Sequence, residues 1–136
     1  MAASTIVDAG FLVALLSRRD AHHRWAASEA RRNPPVWRTC DAVLSEAFHL
    51  LGLRGTPALA ALLRRAALIS SFHLSHTPNE VLQLMLKYAD VPMSFSDACL
   101  VRMTEILPDP ILLTTDADFR MYRRLGRKTV PCRLPE

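Results

Sequence analysis

Residues 111–119 of the chain read ILLTTDADF. Residues 111–114 form a short apolar run, which is the composition of a strand buried on both faces of a parallel sheet. Two acids, Asp116 and Asp118, follow this run at once. The stretch therefore predicts a buried parallel strand with carboxylates at its carboxyl end.

The amino-terminal residues repeat this order of strand and acid. Residues 5–7 (TIV) are β-branched and predict a strand, residues 8–10 (DAG) predict a turn, and residues 11–16 (FLVALL) predict an apolar helix. Asp8 therefore lies, like Asp116, at the carboxyl end of a predicted strand.

Strands and helices alternate through the rest of the chain. Helices are expected at 20–32, 41–53, 58–69, 77–89 and 96–107, with a short basic helix between 119 and 126, and strands at 36–39, 72–76 and 128–132. Asp20 is a candidate cap, residues 77–80 form a candidate capping box, and Gly52 or Gly55 can end the third helix. The alternation indicates an α/β fold whose mostly parallel sheet is covered by helices on both faces.

Composition limits the class of protein. With 136 residues, half of them apolar, the chain is expected to form one domain over residues 1–136. It has neither an apolar run near the ~20 residues of a membrane-spanning helix nor a signal-peptide pattern, so we expect a soluble cytoplasmic protein. Three widely spaced cysteines favour neither a disulfide framework nor a zinc site. The formal charge of +4 is compatible with a polyanionic partner.

Four carboxylates are expected to meet at one edge of the sheet. Open parallel sheets bind ligands outside the carboxyl ends of their strands, where the strand order reverses. Asp8 and Asp116 follow two such ends, and they face one crevice if their strands are neighbours. Asp97 lies in the first turn of a helix that enters from this edge, and Glu46 lies on the early turns of the helix after the second strand.

A cluster of carboxylates favours a bound cation, because the negative charges repel one another unless they are compensated. Without converging Cys or His ligands, an all-oxygen site selects hard ions such as Mg²⁺ or Mn²⁺, and Mg²⁺ typically bridges to a substrate phosphate. Phosphodiester hydrolysis fits this chemistry, since one or two ions would activate a water and stabilise the leaving oxygen.

Each acid taken singly also has an ordinary structural explanation. Asp97 and Asp116 are suitable helix caps, and Asp8 is a suitable turn residue. Glu46 is suited to a solvated helix surface or to an ion pair with Arg. The functional interpretation therefore depends on the placement of all four at one edge.

Four segments in succession resemble the motifs of PIN-domain proteins. They are residues 6–15 (IVDAGFLVAL), 43–46 (VLSE), 96–98 (SDA) and 112–119 (LLTTDADF). The likeness is greatest to the VapC-type toxin ribonucleases of type II toxin–antitoxin systems. It spans nearly the whole chain in the expected order, and the closing segment is its most specific part.

The resemblance implies a three-layer α/β/α domain with a sheet of about five strands. It implies Mg²⁺- or Mn²⁺-dependent endonucleolytic cleavage of RNA, a homodimer, and inhibition by a small antitoxin protein. The residues that match the family's catalytic and metal-binding acids are Asp8, Glu46, Asp97 and Asp116. Asp118 matches an auxiliary acidic position, and Thr114 or Thr115 matches a hydroxyl position beside the site.

One position departs from the family pattern. Residue 10 is Gly, where many PIN-domain proteins have Ser, Thr or Asn close to the metal. The departure removes a hydroxyl or amide contact, although glycine also permits a close approach of the backbone.

A basic stretch follows the last acidic motif. It consists of Arg120, Arg123, Arg124, Arg127 and Lys128. These side chains are candidates for salt-dependent contacts with phosphates, above all Arg120, Arg123 and Arg124, and a solvated helix face is the alternative.

Two rival classes of protein remain open from the sequence. A non-catalytic PIN-fold module that binds nucleic acid or protein would keep the fold without turnover, although all four acids are present. A phosphatase of the haloacid type also has Asp after its first strand, but its chemistry needs a second Asp two residues on, where this chain has Gly10.

Overall fold

The structure is a computed structural model that describes residues 3–136. The strands are β1 (Ser4–Val7), β2 (Trp37–Cys40), β3 (Leu68–Phe72), β4 (Pro110–Leu113), β5 (Arg123–Arg124), β6 (Lys128–Thr129) and β7 (Cys132–Arg133). The helices are α1 (Ala9–Leu16), α2 (His23–Arg32), α3 (Asp41–Arg64), α4 (Pro78–Lys87) and α5 (Phe95–Ile106). Within residues 3–136, no helix is long and apolar enough to span a membrane.

Five strands form one parallel sheet in the order β3-β2-β1-β4-β7. The chain moves from β1 outward to β3 and then returns to β4 on the other side of β1, so the strand order reverses between β1 and β4. Val7 pairs with Leu113 at the carboxyl ends of these two strands. The predicted parallel sheet is confirmed, and the strands that precede Asp8 and Asp116 are neighbours.

Helices cover both faces of the sheet. Helices α1, α2 and α3 pack together on one face, and α4 packs with α5 on the other. Phe11 of α1 makes edge-to-face contacts with Trp25 of α2 and Trp37 of β2, with ring centroids 6.0 and 5.5 Å apart. The three-layer α/β/α arrangement is thus confirmed, with aromatic contacts between one helical layer and the sheet.

An ion pair between a half-exposed arginine and a buried glutamate ties the edge strand β7 to α2. Glu29 is 2% exposed, and its carboxylate accepts hydrogen bonds at 2.8 and 3.0 Å from Nε of Arg133. Because a buried carboxylate is costly without a partner, this pair holds the last strand against the helix.

Two predicted boundaries before β3 are wrong. Helix α2 begins at His23 rather than at Asp20, because the Asp20 carboxylate accepts from His22 N and forms a turn instead of a cap. The helix predicted at 58–69 ends at Arg64, and residues from Leu68 onward form β3 because they pair with β2. In α3, Gly52 breaks the helix with a φ of +65°, which confirms the predicted role of a glycine there.

Several predictions for the residues after β3 are also wrong. The strand predicted at 72–76 is replaced by a 3₁₀ turn at Leu74–His76. The Thr77 side chain does not cap α4, because its hydroxyl accepts a 3.3 Å hydrogen bond from Arg102 instead. The basic helix predicted between 119 and 126 is a 3₁₀ turn (Ala117–Arg120) followed by an antiparallel β5–β6 hairpin, and the strand predicted at 128–132 is divided between β6 and β7.

Candidate active site

Asp8 and Asp116 are joined by a buried threonine at the reversal of strand order. Thr114 follows β4, and its hydroxyl donates to Asp8 Oδ2 at 2.7 Å. The same hydroxyl accepts from Asp116 N at 3.0 Å. Because Thr114 is fully buried and its only proton is donated to Asp8, the structure gives it a positioning role between the two acids.

Asp8 is the most buried acid of the cluster. Its side chain is only 7% exposed, and its Oδ1 accepts from Ala9 N at 2.7 Å at the start of α1. The pKa of Asp8 is raised from 3.8 to about 7, mainly by burial and to a smaller extent by the charges of Asp97 and Glu46, while the hydrogen bonds from Thr114 and Ala9 oppose the shift. A bound cation would favour the ionised carboxylate and so lower the pKa of Asp8 again.

Asp97 has both the capping role and a place in the cluster. Ser94 caps α5 by accepting from Asp97 N at 3.1 Å, and Asp97 Oδ2 accepts from Ser94 N at 3.3 Å, which completes a capping box. Burial raises the pKa of Asp97, and the neighbouring charge of Asp116 raises it too. Ser94 rather than Asp97 is therefore the N-cap, and Asp97 supports the cap from the third helical position while it lies beside Asp116.

Tyr122 is a site residue that the sequence did not reveal. Its fully buried side chain donates a 3.1 Å hydrogen bond to Asp97 Oδ2. Burial and the charge of Asp97 raise the pKa of the Tyr122 hydroxyl, so it stays a protonated donor. Nothing in the sequence pattern links two residues 25 positions apart through an aromatic hydroxyl.

Glu46 and Asp118 lie at the open side of the cluster. Glu46 is exposed on α3, close enough to Asp8 for its charge to raise the pKa of Asp8. Asp118 is half-buried, its backbone N–H donates to Asp116 Oδ1 at 2.9 Å, and its charge raises the pKa of Tyr122. All five predicted acids therefore face one region.

The donor set fits a hard divalent cation that keeps part of its water shell. Within residues 3–136, none of the five acids forms an ion pair with Lys, Arg or His, so their charge is not compensated by the protein. In the same range, no three His, Cys, Asp or Glu side chains lie close enough to surround an ion by themselves. Mg²⁺ suits such a site because it retains several waters and usually takes one or two carboxylates.

The predicted substrate-binding residues differ in their exposure and in whether their side chains are hydrogen-bonded within the fold. Thr115 lies half-buried beside the acids, and Arg120 is exposed. Arg123 donates to the backbone carbonyl of Arg120, and Arg124 donates to the carbonyl of Thr104 on α5. Arg123 and Arg124 thus have structural hydrogen bonds within the fold, whereas Arg120 is the predicted arginine that is most open to solvent.

A parallel sheet between two helical layers, with acids at the reversal of its strand order, is compatible with a nuclease domain, and the comparisons support that class. The PIN domain model matches residues 5–125, so the chain belongs to the PIN domain family. The comparison with curated proteins found no significant match.

Among solved structures, the chain is similar to VapC20 of Mycobacterium tuberculosis, a sarcin–ricin loop cleaving toxin. The TM-score is 0.75 and the sequence identity 25%, over 85% of this chain and 92% of VapC20. Family and structural neighbour together support a toxin endoribonuclease.

Proposed function

We propose that this protein is a Mg²⁺- or Mn²⁺-dependent endoribonuclease and the toxin component of a toxin–antitoxin pair. The observation that carries the proposal is the uncompensated cluster of Asp8, Glu46, Asp97 and Asp116 at the reversal of strand order in a PIN domain. Structured RNA is the proposed substrate class, and the sarcin–ricin loop is the first RNA to test because VapC20 is a toxin that cleaves it.

In this proposal Asp8 and Asp116 are the main ligands of the cation, with Asp97 and Glu46 completing the site toward solvent. When bound, the cation supplies an activated water and offsets negative charge on the phosphate. Thr114 holds Asp8 and the backbone of Asp116 at a fixed separation. The hydrogen bonds to Asp97 both use Oδ2, which leaves Oδ1 for a ligand or a water.

The proposed partners follow from the same class of toxin. A small antitoxin would bind the protein and inhibit it, and the active form would be a homodimer. Co-expression with the reading frame next to its gene, followed by purification of the complex and an RNA cleavage assay, tests the antitoxin. Inhibition that depends on complex formation is the expected result.

Cleavage assays on defined RNAs test the proposed activity. Purified protein is incubated with a labelled sarcin–ricin loop hairpin and with single-stranded RNA, in Mg²⁺, in Mn²⁺ or in EDTA. We expect internal cleavage that EDTA abolishes and that Asp116→Asn reduces by at least about 100-fold, the scale on which loss of one key charge-stabilising group acts.

A matched control removes a carboxylate from the opposite end of the same strand. Asp109 is exposed just before β4, with a φ of +45° that Asn accommodates well. Asp109→Asn makes the same change of charge and should leave cleavage intact. Cleavage that persists in EDTA, or equal loss in both variants, would contradict the proposal.

A further inference from the structure

Gly10 and Thr115 share one space beside the acid cluster. A Cβ atom on Gly10 would lie 2.0 Å from Thr115 Oγ1 and 3.3 Å from Thr115 Cβ. A contact of 2.0 Å is far shorter than any that real Cβ atoms make, so a side chain at position 10 would displace the Thr115 hydroxyl. Glycine at position 10 therefore lets the residue after Thr114 approach the first turn of α1.

Thr115 lies in the chain between two residues of the hydrogen-bonded network of the acids. The residue before it, Thr114, donates to Asp8, and the residue after it is Asp116. Its neighbour across the gap, Gly10, is two residues after Asp8. The Thr115 hydroxyl therefore faces the first turn of α1 at Gly10, two residues after Asp8, in the segment that leads to Asp116.

The fold itself does not use this hydroxyl. In residues 3–136, Arg124 Nε is the one side-chain nitrogen or oxygen that is sealed from solvent without a hydrogen-bond partner. Thr115 is half-buried, and its Oγ1 makes no hydrogen bond within that range and is not fully sealed from solvent. Thr114, in contrast, is fully buried and hydrogen-bonded on both sides.

We propose that Thr115 is a substrate-binding residue whose hydroxyl donates a hydrogen bond to a phosphate oxygen of the RNA, and that Gly10 is required to keep this hydroxyl in place. The proposal rests on the proposed function and adds the residue that contacts the substrate. A neutral hydroxyl suits this role, because a phosphate that approaches a cluster of carboxylates needs a donor that the acids cannot supply. The β-branched side chain restricts the hydroxyl to few orientations.

Variants at both positions separate this role from packing. The affinity for a fluorescein-labelled sarcin–ricin loop hairpin is measured by anisotropy in Ca²⁺, and the affinity for Mn²⁺ is measured by calorimetry. We expect Thr115→Ala to raise the RNA Kd by about tenfold, the scale of a hydrogen bond to a charged oxygen, and to leave the Mn²⁺ Kd unchanged. Thr115→Ser should rescue binding, and Thr129→Val on the exposed hairpin is the matched control.

The close contact predicts a specific coupling between the two residues. Gly10→Ala in the wild-type background should weaken RNA binding by about as much as Thr115→Ala, because the new methyl group displaces the hydroxyl. In the Thr115→Ala background, Gly10→Ala should weaken RNA binding no further, because the hydroxyl is already absent. Urea unfolding of each variant shows whether the fold is retained.

The possible results distinguish this inference from the proposed function. If the wild-type protein binds Mn²⁺ and cleaves RNA while Thr115→Ala binds RNA as tightly as wild type, the inference is overturned and the proposed function stands. Losses from Gly10→Ala and Thr115→Ala that simply add would also overturn it. If the wild-type protein neither binds Mn²⁺ nor cleaves RNA, the proposed function itself fails.

Discussion

Asp8 determines how the metal-free protein responds to pH. Burial raises its pKa from 3.8 to about 7, so in this interval the folded protein holds a proton that the unfolded chain releases. The stability of the metal-free protein should therefore fall as pH rises from about 4 to about 7, by up to about 4 kcal/mol from this group. Below about pH 4 the Asp8 carboxyl is protonated in both the folded and the unfolded state, so no charge has to be buried on folding.

Asp8→Asn removes this titration while keeping the shape of the side chain. Urea unfolding in EDTA at pH 5 and pH 8 should show a wild-type protein that loses stability at pH 8 and a variant that loses clearly less. Burial also raises the pKa of Asp97, so Asp97 contributes a dependence of the same sign that the variant keeps. An identical pH dependence in the two proteins would mean that Asp8 is not the buried acid described here.

Tyr122 is a positioning residue for Asp97. Its hydroxyl holds Oδ2 of that carboxylate, so Tyr122→Phe should raise the Mn²⁺ Kd by about tenfold, the scale of lost support behind a metal ligand. Tyr88→Phe is a matched control, because Tyr88 packs 5.1 Å from the Tyr122 ring but accepts from Arg123 N instead. Calorimetry that finds equal Mn²⁺ affinity in wild type and Tyr122→Phe would refute the role.

At the scale of the element, the β5–β6 hairpin carries basic residues with different tasks. Arg124 is bound to the Thr104 carbonyl of α5, whereas Arg120 precedes the hairpin and is exposed. We expect Arg120→Ala to lower the slope of log RNA affinity against log salt by about 0.7–1, with no loss of stability. Arg124→Ala should cost about 1 kcal/mol of stability through the lost hydrogen bond.

Anisotropy over a series of KCl concentrations, together with urea unfolding, separates the two effects. The expected pattern is a changed salt slope for Arg120→Ala and a changed unfolding midpoint for Arg124→Ala. The reverse pattern would show that Arg124 leaves α5 to contact RNA.

Patterns within one element were predictable from the sequence, and contacts between elements were not. The apolar run before Asp116 and the β-branched run before Asp8 each predict a strand, because burial on both faces is recorded in composition. The end of the helix at Arg64 was missed because β3 is stabilised by pairing with β2, about 30 residues away. The prediction that the Thr77 side chain caps α4 was wrong for a similar reason, because the Thr77 hydroxyl accepts a hydrogen bond from Arg102.

In the molecule as a whole, the contacts between elements that build the site were likewise mostly not predictable from the sequence. Neighbouring parallel strands bring Asp8 and Asp116 together, and strand order alone allowed that expectation. The Thr114 bridge, the Tyr122 hydrogen bond and the contact between Gly10 and Thr115 depend on side-chain directions that no periodicity records. One domain over residues 1–136 stays a prediction.

The proposed homodimer is also tested at this scale. Large apolar side chains are exposed on two helices, with Leu53 of α3 94% exposed and Leu86 of α4 77% exposed. A second copy of the chain would cover exposed side chains of this kind, so the proposed homodimer predicts that light scattering gives about twice the chain mass of 15.2 kDa. A mass equal to one chain across the accessible concentration range would exclude the dimer.

The proposed function requires that the acids at the reversal of strand order bind a divalent cation. Calorimetric titration of the metal-free protein with Mn²⁺ at pH 8 tests it most directly, with Asp8→Asn, Asp116→Asn and the control Asp109→Asn titrated in parallel. We predict saturable binding to wild type and Asp109→Asn, and loss of most of that binding in the other two variants. Absence of binding to the wild-type protein, or undiminished binding to Asp8→Asn and Asp116→Asn, would contradict the claim.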